Sequence, residues 1–172
     1  MNEDTKHEQI PLIHTVYLGL GSNLGDRDAN LLAALDGLGQ FMQVECVSSV
    51  YATEPLLVED QPIFHNLVCE GMTGLEPFPL LLALKRIEGD LGRVPGPRYG
   101  PRLIDIDILL FDDLILTTPE LTIPHLAMLE RAFALIPLAE IAPDLRHPSA
   151  KDTIAELASR LDASGVRLLG TL

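Results

Sequence analysis

The sequence contains no tryptophan, only two cysteines and few aromatic residues of any kind. Phenylalanine, tyrosine and tryptophan make up 5% of the 172 residues, so leucine, isoleucine, valine and alanine must build most of the core. Cys46 and Cys69 lack the spacing of a metal-binding motif, and we expect both to be reduced thiols in the core. A cysteine-based metal site is therefore not expected.

Positive charge is also scarce. The chain has 12 lysines and arginines against 25 aspartates and glutamates, a net charge of −13. A protein with this balance is poorly suited to nucleic acid, whose phosphates require a basic face, and to anionic membranes. If the substrate is anionic, the few basic residues must be concentrated around it.

Long apolar runs are missing too. No run approaches the roughly 20 residues that a membrane-spanning helix needs, and residues 1–11 are polar and charged, unlike a signal peptide. We therefore expect a cytoplasmic protein without a membrane partner. The length suits one compact domain, expected to span residues 14–172 after a flexible tail at 1–13. We expect a monomer, with a dimer left open.

Hydrophobic periodicity predicts a ferredoxin-like α+β fold. The expected elements are a strand at 14–20, a helix at 27–41 capped by Asp26, a strand at 44–53, a strand at 63–73, a helix from Pro77 to about Leu91, and a strand at 102–111. This βαββαβ order is typical of an antiparallel sheet with both helices packed on one face.

The C-terminal third predicts additional elements. A helix is expected at 126–141, interrupted near Pro137. Thr153 and Glu156 have the spacing of a capping box that opens an extra C-terminal helix. A short strand is expected at 166–172.

Asp105 and Asp107 form the first candidate site. Alternate residues of a strand share a face, so the two carboxylates point one way while Ile104, Ile106 and Ile108 point into the core. Paired carboxylates suit Mg²⁺, which is bound through one or two of them together with substrate phosphates. Taken alone, the pair also fits the solvated face of an edge strand.

Three arginines precede this strand. Arg93, Arg98 and Arg102 lie in a stretch from Leu91 to Ile104 that has no acidic residue, in a loop rich in glycine and proline. Arginine binds phosphate oxygens in bidentate fashion, and such a loop can close over a ligand. Cations beside carboxylates are the arrangement that phosphoryl transfer requires. The alternative is a solvent-exposed loop that only balances charge.

Other segments carry weaker signals. The run from Gly19 to Gly25 follows a strand and precedes a helix, but it matches neither a dinucleotide nor a Walker A motif and also fits a tight turn. Phe64 and Asn66 share a strand face, so an aromatic ring beside an amide could bind the edge of a heterocycle. The alternative is a core phenylalanine and a turn asparagine. Of the five histidines, only His125 is followed shortly by an arginine and a phenylalanine in a predicted helix. His65 should face the side of the strand opposite to Phe64 and Asn66.

Together these segments resemble the 6-hydroxymethyl-7,8-dihydropterin pyrophosphokinase family. The resemblance spans roughly Val16 to Asp144. Its most specific part is Gly100-Pro-Arg102 followed by Asp105 and Asp107. The other matching segments are Gly21-Ser-Asn-Leu24, Tyr51-x-Thr53-x-Pro55-Leu56, Asp60-Gln-Pro-x-Phe64-x-Asn66, Gly92-Arg93, and Pro124-His125 with Arg131 and Phe133.

The resemblance implies a ferredoxin-like fold and transfer of pyrophosphate from Mg-ATP to the hydroxymethyl oxygen of the pterin, with release of AMP, in folate biosynthesis. It implies two Mg²⁺ ions held by Asp105 and Asp107, and a pterin ring between Phe64 and Phe133. The implied pterin-edge contacts are Thr53, Pro55, Leu56 and Asn66. The implied ATP contacts are Glu88, Arg93, Arg98, Tyr99, Arg102, Ile108, Thr122, His125 and Arg131. Catalysis is assigned to Arg93, Arg98, Arg102 and Asp107, and we hypothesise that Asp107 accepts the hydroxyl proton.

The chain differs from the family pattern in having Pro95 for a basic residue, Tyr99 for tryptophan and Lys85 for a polar residue. Two other functions use the same residues. A metal-dependent phosphoesterase would activate water with the aspartate pair, and a regulatory domain would bind ATP without turnover. The aromatic residues and Asn66 favour a heterocyclic acceptor over both.

Overall fold

The computed structural model describes residues 12–55, 61–94 and 100–172. Its strands are β1 (His14–Ser22), β2 (Gln43–Val47), β3 (Val50–Thr53), β4 (Phe64–Thr73), β5 (Asp105–Phe111), β6 (Leu116–Thr117), β7 (Thr122–Ile123) and β8 (Val166–Gly170). Its α-helices are α1 (Arg27–Leu38), α2 (Pro77–Asp90), α3 (Ala132–Ile141) and α4 (Ile154–Ser159). The tail at 1–11 lies outside the described residues, so the predicted division at residue 14 stays a prediction.

The main sheet has six strands in the order β5-β1-β4-β3-β8, with β2 also paired to β4. Every pairing in it is antiparallel. The predicted βαββαβ fold is therefore confirmed. β6 and β7 form a separate two-stranded sheet that the sequence did not predict.

The sheet is covered on both faces. On one face, α1 and α2 pack against the even-numbered residues of β1, Val16, Leu18 and Leu20. On the other face, α3 and α4 pack over Tyr17 and its neighbours in the sheet. Because side chains alternate along a strand, Gly19 and Gly21 face the α3 side. They bring no side chain there, so space remains between the sheet and α3.

Local signals explain most helix boundaries. Asp26 caps α1 by accepting a hydrogen bond from the backbone N–H of Ala29, as predicted. Pro77 occupies the first turn of α2, where its missing N–H is harmless. Thr153 and Glu156 form the predicted capping box at α4. α1 ends at Leu38, three residues earlier than predicted, with Gly39 at its C-terminus.

Two predicted elements are divided at places that the sequence did not predict. The expected strand at 44–53 is broken between β2 and β3. Val68 N of β4 donates to Ser48 Oγ, a side-chain acceptor, and the Ser49 backbone N–H and hydroxyl both donate to Glu140. The helix at 126–141 is interrupted at Arg131, which has an extended backbone, and not near Pro137. α3 continues through Pro137, which removes only the one hydrogen bond its N–H would have made.

β5 begins at Asp105, later than the predicted Arg102. The backbone N–H and C=O of Arg102 bond to Asn23 in the β1–α1 connection. Within the described residues, none of the helices has both the length and the apolar character to cross a bilayer.

Candidate active site

A cavity of about 570 Å³ lies on the α3 side of the sheet. Its walls come from β1, β3, β4 and β5 below, from α2 at one side, and from α3 with the segment before it above. The polar and aromatic residues around it are Thr53, Glu54, Gln61, Phe64, Asn66, Lys85, Arg93, Arg102, Asp105, Asp107, His125, Arg131 and Phe133. The sequence candidates from distant parts of the chain therefore meet in one place.

Gly21 forms the floor of the cavity at the centre of the sheet. It pairs with Asp105 of β5 on one side and with Asn66 of β4 on the other. A Cβ atom at Gly21 would lie 2.5 Å from Asn66 Oδ1, closer than any side chain can tolerate. The Asn66 amide and the Asp105 carboxylate therefore flank a position where glycine fits and a larger side chain does not.

We expect Gly21→Ala to weaken binding of a ligand at Asn66 about tenfold or more, because the methyl group must displace the amide from its hydrogen bond. Gly19→Ala is the matched control on the same strand face. Its Cβ would meet only the flexible side chain of Leu109, at 3.4 Å. Titration calorimetry with the pterin that the resemblance implies measures both variants, and equal losses would contradict this role of Gly21.

One end of the cavity combines an amide with aromatic rings. Asn66 Nδ2 donates to Thr53 Oγ1 at 2.7 Å, so its carboxamide is fixed by β3. Phe64 precedes it on the same face of β4, and Phe133 lies on α3 with Arg131 stacked over its ring at 5.5 Å. As predicted, His65 points to the opposite side, where it contacts Asp28 of α1 at 2.6 Å.

At the other end, the two aspartates have different partners. Asp105 Oδ1 lies 2.6 Å from Arg93 Nη1, and Asp105 Oδ2 lies 2.8 Å from Arg102 Nη1. Asp107 faces the imidazole of His125, whose Nε2 is 3.9 Å from Asp107 Oδ2. Asp105 is thus neutralised by two arginines, whereas Asp107 is poorly compensated.

The environment of Asp107 opposes its charge. Burial, followed by repulsion from Asp105, raises the pKa of Asp107 to about 6. A cation beside the two carboxylates would relieve both effects. No group of three or more histidine, cysteine, aspartate or glutamate ligands forms a metal site among the described residues. The residues fit Mg²⁺ that arrives with a phosphate ligand, since this ion needs only one or two protein carboxylates.

Glu88 supports the arginine side of the cavity from behind. Its buried carboxylate accepts hydrogen bonds from Ile106 N at 2.7 Å and from Lys85 Nζ at 3.0 Å, and it lies 2.6 Å from Arg93 Nη1. Arg93 therefore bridges Glu88 of α2 and Asp105 of β5. This bridge fixes the guanidinium at the cavity wall.

His125 is oriented by its own chain. Its Nδ1 accepts from Ala127 N at 3.3 Å, so the neutral ring carries its proton on Nε2, which faces Asp107. Burial and the nearby Arg131 lower the pKa of His125. The imidazole is therefore a neutral hydrogen-bond donor at neutral pH.

The cavity concentrates positive charge in an acidic protein. Lys85, Arg93, Arg102 and Arg131 line it, four of the 12 basic residues of the chain. Asp105, Asp107 and Glu54 are its acidic residues. This is the local concentration that an anionic ligand requires.

Several predicted residues lie away from this cavity or outside the described residues. Ile108 points into the core and Thr122 lies in the β6–β7 pair, so their predicted ATP contacts stay predictions. Leu56, Asp60, Pro95, Arg98 and Tyr99 fall outside the described residues, as does the centre of the predicted mobile loop.

Sequence reasoning missed some cavity residues. Lys85 was noted only as a departure from the family pattern, although it lies one helical turn before Glu88. Gln61 and Glu54 gave no signal of their own, because neither belongs to a periodic pattern. The two glycines of β1 were considered only as part of a turn.

The domain is an α+β fold built on an antiparallel sheet. Its cavity on the α3 side brings carboxylates and cations together with an amide–aromatic pocket, which defines a class of domain suited to a phosphate-bearing ligand and a heterocycle. The chain belongs to the 7,8-dihydro-6-hydroxymethylpterin-pyrophosphokinase family, whose model matches residues 17–143.

The names of curated relatives agree with this family assignment. The chain is 42% identical over 160 residues to the 2-amino-4-hydroxy-6-hydroxymethyldihydropteridine pyrophosphokinase of Pseudomonas aeruginosa, covering 92% of this chain and 98% of the relative. It is also 42% identical to the enzyme of that name from Aquifex aeolicus, covering 83% of this chain and 89% of the relative. Folic acid synthesis protein fol1 of Schizosaccharomyces pombe is 42% identical over 88% of this chain, which spans only 21% of that protein.

Solved structures support the fold. The crystal structure of wild-type Plasmodium falciparum HPPK-DHPS with pterin and p-hydroxybenzoate matches with a TM-score of 0.71 and 18% identity. The match covers 89% of this chain and 42% of the Plasmodium chain. At this identity the likeness concerns the fold alone.

Proposed function

We propose that this protein transfers pyrophosphate from ATP to the hydroxymethyl oxygen of 6-hydroxymethyl-7,8-dihydropterin, releasing AMP, as a cytoplasmic enzyme of folate biosynthesis. The observation that carries the proposal is the pairing of Gly21 with both Asn66 and Asp105. This register joins the amide–aromatic end of the cavity to its charged end. A ring held at Asn66 can therefore present a substituent to phosphates held beside Asp105.

The pterin end of the cavity positions the acceptor. Asn66, fixed by Thr53, supplies one acceptor and one remaining donor to the edge of the ring. Phe64 and Phe133 supply the stacking surfaces, and Pro55 closes the edge. Leu56 and the neighbouring backbone complete this pocket in the proposal.

The charged end of the cavity positions the donor. Arg93, Arg102 and Lys85 bind the phosphates of ATP, and Arg131 with neutral His125 reaches them from above. In the proposal Arg98 and Tyr99 contribute from the segment after Val94. Fixed cations around the β-phosphorus stabilise the charge that develops there, while alignment brings the hydroxyl oxygen in line.

Asp107 accepts the hydroxyl proton as the new bond forms. Asp107 lines the cavity, and a carboxylate placed there is the type of group that serves as a general base. Asp105 and Asp107 would hold the two proposed Mg²⁺ ions, which would neutralise phosphate charge and lower the pKa of the attacking hydroxyl. Arg93 and Arg102 must then exchange part of their contact with Asp105 for phosphate.

Product analysis tests the proposal. We expect AMP to form in step with pterin consumption when the protein is incubated with Mg-ATP and the hydroxymethyl pterin. ADP would overturn attack at the β-phosphorus. Phosphate release without pterin would identify a phosphoesterase instead, and ATP binding without turnover would identify a regulatory domain.

A further inference from the structure

We propose that Asn23 is a positioning residue that couples the phosphate and pterin ends of the cavity, an inference that rests on the proposed function. Asn23 belongs to the connection between β1 and α1 and is 1% exposed. It is not among the residues that line the cavity. Its carboxamide instead touches segments that approach the cavity from two directions.

The acceptor side of Asn23 holds the phosphate end. Asn23 Oδ1 accepts from Arg102 N at 2.8 Å, and Asn23 N donates to Arg102 O at 3.2 Å. Both backbone groups of Arg102 are thereby fixed. Its side chain then reaches Asp105 through Nη1 and donates to the Gly100 carbonyl through Nε. The position of this cation therefore depends on Asn23.

The donor side of Asn23 holds the other end. Asn23 Nδ2 donates to Gln61 Oε1 at 3.1 Å and to Pro62 O at 3.2 Å. Gln61 lines the cavity, and Phe64 follows shortly after Pro62. Arg27 holds the same segment by donating to Ile63 O at 2.8 Å. The approach to the stacking residue is thus also fixed from the β1–α1 connection.

The connection itself is anchored to α1. Asn30 Nδ2 donates to Ser22 Oγ at 3.1 Å and to Leu24 O at 2.9 Å. Asn23 therefore does not move independently of the helix. The buried Asn23 carboxamide has three hydrogen-bond partners in two segments: Arg102 N, Gln61 Oε1 and Pro62 O. A shift of either segment is transmitted to the other, because it strains a hydrogen bond that is shielded from water.

Two substitutions of Asn23 separate its contact with Arg102 from its contacts with Gln61 and Pro62. Asn23→Ala removes every side-chain hydrogen bond, so Arg102 and Pro62 both lose their partner. Asn23→Asp keeps the acceptor for Arg102 N but loses the donors. Gln61 can rotate its amide to donate to the new carboxylate, whereas the Pro62 carbonyl cannot become a donor.

We expect Asn23→Ala to raise KM for both substrates and to lower kcat by about 10- to 100-fold, because both reactants are misplaced. We expect Asn23→Asp to raise KM for the pterin about tenfold and KM for ATP less than about threefold. Thr73→Val is the matched control. Thr73 is also buried, it bonds Phe41 O and Leu75 N, and it lies at the end of β4 far from Phe64. It should lower the melting temperature without changing either KM.

Amide hydrogen exchange without ligands gives a readout that does not depend on activity. The Arg102 amide should exchange faster in Asn23→Ala than in wild type, and as slowly as wild type in Asn23→Asp. Wild-type protein that forms no AMP would refute the proposed function, while this exchange pattern still decides the contact of Asn23 with Arg102. The coupling is overturned if Asn23→Asp shifts both KM values equally, if Asn23→Ala resembles Thr73→Val, or if Arg102 exchange is unchanged.

Discussion

Replacing Asp107 with asparagine is expected to lower kcat about 10³-fold while leaving the metal-free protein at least as stable as wild type. The loss of rate follows because, under the proposed function, Asp107 is one of two residues that hold the metal ions, whose charge stabilisation contributes several kcal/mol. The preserved stability follows because Asp107 is poorly compensated and close to Asp105. Replacing an aspartate that stabilises the fold would instead lower the melting temperature.

The pH dependence of stability gives the same prediction a second test. The pKa of Asp107 is raised from 3.8 to about 6, chiefly by burial, so the folded state binds more protons than the unfolded state in this range. The contribution of Asp107 to stability is therefore present at low pH and is lost as pH rises from about 4 to about 6. Melting curves in EDTA should show this decline in wild type and a smaller one in Asp107→Asn.

Asp105→Asn is the comparison on the same strand face. It should also lose most of the rate, but it takes from Arg102 its Asp105 partner and leaves Arg93 with Glu88, so it should lower the melting temperature. A lower melting temperature for Asp107→Asn, equal to that for Asp105→Asn, would show that both carboxylates are structural.

Arg93→Ala is expected to lower kcat about 10²- to 10³-fold, the loss usual for one fixed donor at the site of developing charge. Arg102→Ala should have an effect of the same order on the rate. The two variants should differ in stability, because Arg93 also pairs with the buried Glu88, whereas Asp105 is the one ion-pair partner of Arg102 among the described residues. Loss of Arg93 should therefore cost about 1–3 kcal/mol of folding free energy beyond the loss in Arg102→Ala.

Arg86→Ala provides the control for removing an arginine from this region. Arg86 is 82% exposed on α2 and pairs only loosely with Asp90, at 3.7 Å. It should leave the rate and the melting temperature close to wild type. Steady-state kinetics and urea unfolding measure the four proteins, and equal unfolding free energies for the Arg93 and Arg102 variants would contradict the bridging role of Arg93.

The sequence predicts those parts of the site that follow from local periodicity. The shared face of Asp105 and Asp107 and the opposite orientation of His65 are consequences of strand alternation, and both are found. The helix caps at Asp26 and Thr153 follow from short-range hydrogen bonding and are also found.

Features set by tertiary contacts are not predictable in this way. The break at Ser48 depends on Glu140 of a helix about 90 residues away. The position of Glu88 behind Arg93 depends on the approach of α2 to β5, and the partners of Asn23 come from two distant segments. The sequence predicts the helix break near Pro137 and not at Arg131, because proline is the strongest local signal for a break. In the structure, α3 continues through Pro137, which removes one hydrogen bond.

The central position of β1 has a consequence for synthesis on the ribosome. Val16 pairs with Gly71 of β4 and with Phe111 of β5, so the first strand to emerge has partners that are translated much later. Its Val16, Leu18 and Leu20 side chains must stay exposed or in transient contacts until those strands appear. The hairpin of β3 and β4 needs only a short loop closure and can form earlier. The nascent chain therefore exposes an apolar strand until β4 and β5 are translated, and release or truncation before residue 111 should yield an aggregation-prone product.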